Sequence, residues 1–285
     1  MKKKYIPLGL LILTIGVLTG CNNGSENTTE STSKSSSETT VISSSSKEST
    51  STPVSSTTVE SSKTPESTTT SSVATTTPAS QAEQVLNELT SMFPSEALPN
   101  SILTGSTKNY ISAATTSAGD QANFNILYYA EEQPIQVNNT ALNELKPIAS
   151  MEKITFATEE EAKNEVGKIE DYAGNTVDLG YGLTGYTQGA AGSSYLTWPE
   201  GNWNVTIKAS NIDGEDAVPL GKEVVAYLEE NMLPIPEPDG NIQLEIGENG
   251  DYQTNAVIWQ KKNVVYKVHH FNAMQAVKMA TSTNG

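Results

Sequence analysis

Few residues in this chain have side chains that could take part in covalent or acid–base chemistry. The sequence contains one cysteine, Cys21, two histidines, His269 and His270, and 33 acidic residues. A thiolate is a nucleophile, a histidine exchanges protons near neutral pH, and paired carboxyl groups can hydrolyse glycosidic bonds. Which of these reactions is feasible depends on the segments that hold the residues.

Cys21 lies at the end of a segment with the features of an export signal. Lys2–Lys4 are basic, residues 6–18 are thirteen uncharged and mostly apolar residues, and Thr19 and Gly20 are small. This order describes a secretory signal peptide. Thirteen residues form about 20 Å of helix, which is shorter than the roughly 30 Å hydrocarbon core of a bilayer. We therefore expect a signal peptide rather than a permanent transmembrane helix.

The four residues Leu18, Thr19, Gly20 and Cys21 resemble the lipobox of bacterial lipoproteins at every position. The resemblance implies that residues 1–20 are removed and that the Cys21 thiol carries a diacylglycerol. Two acyl chains anchor a protein stably, whereas one does not. The expected location is the outer, extracytoplasmic face of a Gram-positive cell membrane. A buried structural thiol is the alternative, but the residues that follow Cys21 are polar.

The signal peptide itself offers a further hypothesis. Residues 13–20 form a small uncharged octapeptide that resembles the peptide pheromones some Gram-positive bacteria release from lipoprotein signal peptides. The resemblance implies a secreted signalling peptide as a second product. Every lipoprotein of this type offers such a segment, so this hypothesis ranks below those about the mature protein.

Residues 21–80 are predicted to be a lipid-anchored linker. Serine and threonine supply 36 of the 59 residues from 22 to 80. A segment of this composition cannot bury enough apolar surface to offset the entropy of ordering, so we expect it to be disordered. Serine- and threonine-rich stretches with scattered proline can also be O-glycosylated. In either case the segment is a spacer.

Residues 81–285 are predicted to form one α+β extracytoplasmic domain with an antiparallel-rich sheet and about four helices. Apolar periodicity indicates the elements. Helices are predicted over 81–93, 159–166, 216–231 and 272–281, and strands over 123–130, 148–156, 194–198, 203–209, 256–260 and 264–270. Strands grouped between helices, without strict β–α alternation, favour the α+β class.

The charge of the chain limits its partners. The sequence has 17 basic residues, all of them lysine, and a net charge of −16. Nucleic-acid binding needs a basic surface and favours arginine, so nucleic acid is excluded as a partner. Cations, neutral glycans and basic peptides are better suited to an acidic exported domain. Solubility alone is the simpler explanation of the charge.

Two motifs have structural explanations. The run Gly180–Gly185 matches a dinucleotide-binding pattern, but the residues after it form a poor helix, so a glycine-rich strand or loop is expected. His269 and His270 are neighbours on a predicted strand and should point to opposite faces, so they cannot readily bind one metal.

Three aromatic residues could form a platform for a sugar ring: Tyr195, Trp198 and Trp203. Trp203 shares its face with the apolar residues Val205 and Ile207. Across a four-residue loop Trp198 would lie opposite Trp203 and on the same face. The two tryptophans are therefore predicted to be a cross-strand pair on the core side of a hairpin.

The acidic residues occur in three groups. The groups are Glu159 to Glu161, Asp213 with Glu215 and Asp216, and Glu245 with Glu248 and Asp251. The first two suit helix starts, where acids interact favourably with the helix dipole. The third lies on either side of Asn249 and Gly250, a hairpin-turn signal. Its carboxylates are the only calcium or ligand candidates, because oxygen ligands near a turn suit Ca²⁺.

Parts of residues 94–285 are similar to uncharacterised envelope lipoproteins of low-GC Gram-positive bacteria. The matching pieces are Ala97–Pro99, Asn125–Tyr129 followed by Pro134 and Ile135, Glu159–Ala162, Trp198 with Trp203, and the tail from Ile258 through Tyr266 and Ala276 to Ser282. The resemblance implies an exported domain and transfers no catalytic residues.

The sequence contains no H-E-x-x-H, G-x-S-x-G or P-loop motif. No catalytic residue, cofactor site or other metal site is therefore predicted. The leading hypothesis is a non-enzymatic membrane-anchored lipoprotein whose domain binds a cell-wall component or a small ligand. The alternative is a carboxylate-dependent hydrolase of wall glycan, which needs two carboxyl groups about 5–10 Å apart in a cleft.

Overall fold

The computed structural model describes residues 76–102, 107–116, 119–247 and 250–284. The helices are α1 Pro78–Met92, α2 Glu159–Val166, α3 Ala217–Leu228 and α4 Ala273–Thr281, with short 3-10 helices at Thr140–Glu144 and Ser282–Asn284. The strands are β1 Tyr110–Thr115, β2 Phe124–Glu131, β3 Ala149–Thr155, β4 Asn175–Gly180, β5 Leu183–Ala190, β6 Ser193–Glu200, β7 Trp203–Ser210, β8 Gly240–Glu245, β9 Asn255–Lys261 and β10 Val264–His270. The predicted signal peptide, Cys21 and the linker up to residue 75 lie outside the described residues.

All ten described strands form one sheet in the order β1-β2-β3-β10-β9-β8-β7-β6-β5-β4. Every pair of neighbours is antiparallel except β7 and β8, which are parallel and are joined through α3. The predicted α+β class with an antiparallel-rich sheet and four helices is thus confirmed. None of the described helices has the length and hydropathy needed to cross a bilayer.

The helices cover the two faces of the sheet unequally. Side chains of α1, α3 and α4 share the main core with one face of the sheet, which we call the inner face. On the opposite, outer face, α2 packs on β9 and β10 through a small separate core. Side chains alternate between the two faces along a strand. Every second residue of β6, β7 and β8 therefore points to the outer face, in a region that α2 does not cover.

The helix starts follow the capping residues in the sequence. Thr158 accepts from the Glu161 backbone and the Glu161 side chain returns to the Thr158 backbone, which is a capping box at α2. Asp216 caps α3 as expected. A second capping box, between Thr77 and Ser80, starts α1 at Pro78 rather than at the predicted residue 81.

The tryptophan prediction is correct about the face and wrong about the register. Glu200 pairs with Trp203 around a two-residue turn, so Trp198 lies opposite Val205. The predicted four-residue loop was too long because Pro199 and Glu200 belong to the strand. Trp198 and Trp203 are 0% and 5% exposed and lie on the inner face. They are therefore core residues, and neither is a platform for a ligand.

The hairpin predicted around Asn249 and Gly250 is not a tight one. β8 ends at Glu245 and β9 begins at Asn255, so a loop of nine residues, 246–254, joins them. A tight turn would have extended both strands to the Asn-Gly pair. Asn249 itself lies outside the described residues.

Gly240 begins β8 directly beside Trp203 in the parallel register. A Cβ atom at residue 240 would lie within 2.8 Å of three ring atoms of Trp203. The large ring is buried and cannot swing aside. Glycine is therefore required here for the close approach of β8 to the tryptophan.

We expect Gly240→Ala to lower the free energy of unfolding by about 1–3 kcal/mol, since overpacking forces a buried ring out of place. Urea denaturation of residues 22–285, followed by circular dichroism, measures this. Gly189→Ala is the matched control, because a Cβ at residue 189 meets nothing within 4 Å; its change should stay within about 0.5 kcal/mol. Equal stability of the two variants would contradict the proposed packing.

Glu200 is a partly buried carboxyl at the end of β6. Its Oε2 accepts a hydrogen bond from Trp198 Nε1 at 3.0 Å. Burial raises the pKa of Glu200 above its ordinary value of 4.5 and the charge of Glu229 raises it further, while the hydrogen bond from Trp198 lowers it. Ionised Glu200 therefore destabilises the fold: the penalty is absent below pH 4.5 and grows as the pH rises through the raised pKa.

We expect Glu200→Gln to keep the hydrogen bond to Trp198 and to remove this penalty. The melting temperature of the variant should rise relative to that of the wild type as the pH increases from about 4 to about 7. Glu230→Gln, which removes the same charge at an exposed position, is the control and should show no such trend. A difference between Glu200→Gln and wild type that is constant with pH would rule out the raised pKa.

Candidate functional site

A groove of about 280 Å³ lies on the outer face of the sheet over β6, β7 and β8. We call it the outer-face groove. The residues that line it are Ile169, Tyr195, Asn204, Thr206, Lys208, Asn241, Gln243, Leu244, Glu245 and Thr254. Its volume is at the small end of the range for ligand pockets, roughly 300–1,000 Å³.

The floor of the groove consists of polar side chains in register across two parallel strands. Asn204 lies beside Asn241, and Thr206 lies beside Gln243. Asn204 and Asn241 are 1% and 2% exposed, which is unusual for amides on an open sheet face. Buried amides require hydrogen-bond partners. Asn204 Nδ2 donates to Thr206 Oγ1 at 3.2 Å, and the other partners come from the end of α2 and the segment that follows it.

That segment, residues 167–174 between α2 and β4, forms one wall of the groove. Asn241 Nδ2 donates to the carbonyl groups of Val166 and Gly167 at 3.2 and 3.1 Å. Tyr172 donates from its hydroxyl to Asn204 Oδ1 at 3.2 Å. The two asparagines therefore hold the segment against the sheet.

Two further contacts fix the same segment. Lys168 Nζ lies 3.2 Å from Asp239 Oδ1 and 2.8 Å from Glu170 Oε1. The Tyr172 ring lies 5.5 Å from the Tyr186 ring on β5. Burial lowers the pKa of Lys168, but the hydrogen bonds and charges of Glu170 and Asp239 together outweigh it and raise the pKa, so the lysine stays charged and paired at neutral pH. The wall is thus held at its start and at its end.

At its other end the groove carries an ion pair and an aromatic ring. Lys208 Nζ lies 3.1 Å from Glu245 Oε1, with both side chains about 40% exposed. Tyr195 lies opposite Lys208 across β6 and β7 and is half-buried. The charged side chains that line the groove therefore neutralise each other, and the other polar groups on its floor are uncharged.

A second, larger cleft of about 530 Å³ lies between α3, α4 and the loop after β8. Its lining includes three carboxylates, Asp216, Glu223 and Glu245, and also Lys278. Asp216 is engaged as the cap of α3, with Oδ1 accepting from Val218 N at 3.0 Å. Glu245 is engaged by Lys208 and Glu223 is exposed. The three carboxylates that line this cleft therefore either have structural partners or face solvent.

The calcium candidates Glu245, Glu248 and Asp251 are only partly described. Glu245 is paired with Lys208, and Asp251 Oδ1 accepts from Gln253 N at 3.3 Å. Glu248 lies outside the described residues. Within the described part of the chain, no group of three or more histidine, cysteine or acidic residues is arranged to hold a metal ion. Calcium binding by this loop stays a prediction without structural support.

The histidines and the glycine motif have the predicted local structure. His269 and His270 occupy neighbouring positions on β10 and face opposite sides of the sheet. Burial and the charge of Lys267 lower the pKa of His269, against a hydrogen bond with the Gln253 backbone that raises it. The run 180–185 joins β4 to β5 in a hairpin and opens no helix, which excludes the dinucleotide-binding geometry.

Sequence reasoning missed the outer-face groove. It grouped Tyr195 with Trp198 and Trp203, although Tyr195 faces outward and the tryptophans face inward. The signal that could have indicated the groove is the alternation of Asn204, Thr206 and Lys208 with the apolar residues of β7. The segment that covers the two asparagines cannot be placed from the sequence.

Comparison with known proteins finds no relative of this chain. No protein-family model, curated protein or solved structure matches the chain significantly. The outer-face groove is the strongest candidate site, because it combines a cavity, buried amides and a half-buried tyrosine.

Proposed function

We propose that this protein is a lipid-anchored extracytoplasmic binding module with the outer-face groove as its binding site. The lipobox residues Leu18 to Cys21 are expected to fix it to the outer face of the membrane. The groove over β6 to β8 then binds a cell-wall component or a small ligand. We further propose that the module is not an enzyme.

The observation that carries this proposal is the arrangement of the groove floor. Ligand sites hold a few polar groups in fixed positions on a rigid support. Thr206, Gln243 and Tyr195 project from strands that are each paired on both sides. Such strands move little, so these groups are already positioned before a ligand arrives.

The distribution of carboxylates supports a non-catalytic role. A glycoside hydrolase needs one acid that donates a proton and a second that acts as base or nucleophile. Asp216 caps a helix and Glu245 is in an ion pair, so neither is poised to act as the proton donor. Glu200 has a raised pKa but bonds to Trp198 and lines neither cavity.

We expect Cys21→Ala to abolish lipid attachment. The wild type and the variant, expressed in a Gram-positive host and fed a clickable fatty acid, should differ in label and in membrane association. Ser25→Ala is the control and should be labelled like the wild type. Equal labelling of Cys21→Ala and wild type would contradict the proposed lipid anchor. It would not bear on the proposed binding site in the groove.

We expect cell-wall fragments solubilised by a muramidase to stabilise residues 22–285. At ten times the dissociation constant, binding adds about 1.4 kcal/mol and raises the melting temperature by about 3–6 °C. Tyr195→Ala should lose this rise. Tyr181→Ala is the matched control, because Tyr181 is 67% exposed and lies outside the groove.

The same incubation tests the absence of catalysis. Mass spectrometry should find the fragments unchanged after prolonged contact with the protein. Cleaved glycan would support the hydrolase alternative instead. A melting temperature that rises equally in wild type and Tyr195→Ala would place binding elsewhere and contradict the proposed site.

A further inference from the structure

We infer that the outer-face groove takes a neutral glycan, and that it recognises this ligand through side chains alone. The inference builds on the proposed function, because it names the ligand class of the same groove. It depends on three properties of the groove: the pairing of its strands, the chemistry of its floor and the balance of its charges.

The pairing of the strands argues against an extended peptide. Peptides that bind to sheets add as a strand and need an edge with free backbone N–H and C=O groups. The floor strands are interior: β6 pairs with β5 and β7, β7 with β6 and β8, and β8 with β7 and β9. Their backbone groups are already used, so only side chains are available to a ligand.

The floor chemistry suits hydroxyl groups. Gln243 is exposed at the groove, and its side-chain amide offers both a donor and an acceptor. A sugar hydroxyl also donates and accepts, so it can bond to either end of this amide. The Thr206 hydroxyl is already engaged, since it accepts from Asn204 Nδ2 at 3.2 Å and lies 3.4 Å from Thr197 Oγ1. Asn204 and Asn241 hold the wall in place, so Gln243 is the floor amide that faces the cavity.

Apolar surface at both sides of the floor suits the carbon face of a sugar ring. Tyr195 supplies a half-buried ring at one end, and Ile169 on the wall is 67% exposed. An exposed isoleucine at the rim of a polar groove gains most from a ligand that has both apolar and hydrogen-bonding faces. A glycan has this character, whereas a metal ion or a phosphate does not.

The charges favour a neutral ligand over a charged one. Lys208 and Glu245 are paired at 3.1 Å, so their charges offset each other and the lining of the groove carries no net charge to attract an ionic ligand. The chain as a whole carries −16 and would repel an anionic glycan at low salt. The affinity for a neutral glycan should therefore be insensitive to ionic strength.

Isothermal titration of residues 22–285 with three probes tests the inference. The probes are a neutral N-acetylglucosamine tetramer, a uronic-acid tetramer of similar length and a synthetic wall stem peptide. We expect saturable binding of the neutral tetramer only. Its dissociation constant should change less than about twofold between 50 and 500 mM salt, because no ion pair is formed.

Variants assign the binding to the groove. Tyr195→Ala and Gln243→Ala should each weaken the neutral tetramer by about tenfold, whereas Tyr195→Phe, which keeps the ring, should weaken it much less. Tyr181→Ala should bind like the wild type. Circular dichroism melts of each variant separate a lost contact from a lost fold, and Gln243 is exposed enough for its replacement to leave the fold intact.

The outcomes separate the two levels of the proposal. The stem peptide or the uronic-acid tetramer could bind in the groove while the neutral tetramer does not. This result would overturn the assignment of a neutral glycan, but the groove would still be a binding site. Binding of the neutral tetramer that survives both Tyr195→Ala and Gln243→Ala would overturn the site. No binding of any probe, together with no stabilisation by wall fragments, would overturn both.

Discussion

The alternation of side chains along β7 decides what each face of this molecule can do. Trp203, Val205 and Ile207 point into the core beneath α3 and α4, and Asn204 and Thr206 point to the outer face. Because the strand is central, its inward residues hold the two halves of the sheet to one core. Its outward residues are thereby fixed in space although they bury little apolar surface. A shift of one residue in the register would exchange the two sets and abolish both the core and the groove.

The unequal covering of the sheet follows from this constraint. Three helices cover the inner face, where burial of the tryptophans and aliphatic residues supplies the main stabilisation. On the outer face α2 covers only β9 and β10, and the segment 167–174 continues from it across the next strands. Asn241 and Asn204 hold that segment by hydrogen bonds rather than by apolar contact. The result is a shallow polar cavity beside a dense core.

Much of the fold was predictable because its periodicity is strong. The helix at 159–166 and the strand at 264–270 match their predicted bounds, since capping residues and alternating apolar residues mark them. β1, β4 and β8 were not predicted, and the glycine-rich run that leads into β5 was expected only as a strand or loop. β1, β4 and β5 mix glycine, alanine and polar residues, so their periodicity is weak. β8 does alternate, with Ile242 and Leu244 on the inner face, and its close approach to Trp203 requires glycine at residue 240. Where alternation is weak, the pairing of strands in the fold decides what local propensity does not.

The candidate site was less predictable than the fold, because it depends on which strands are neighbours and its residues form no motif. The acidic groups are the conspicuous candidates in a sequence with 33 acidic residues, yet Glu161 and Asp216 act as helix caps and Glu245 is in an ion pair. The groove instead uses uncharged residues such as Thr206 and Gln243, which carry no motif. Its character depends on which strand lies beside which, and β7 with β8 is the one parallel pair of neighbours among the ten described strands.

The acidic surface and the neutral groove are both compatible with the proposed attachment of the protein to an anionic envelope. A net charge of −16 keeps the domain soluble and repels anionic polymers within a Debye length, about 8 Å at physiological salt. A binding site that depended on charge would be affected by this field and by every change in ionic strength. A groove whose lysine and glutamate offset each other carries no net charge on its lining and is less sensitive to both. In the proposed site, selection of the ligand depends on hydrogen bonding and shape, which the rigid interior strands hold constant.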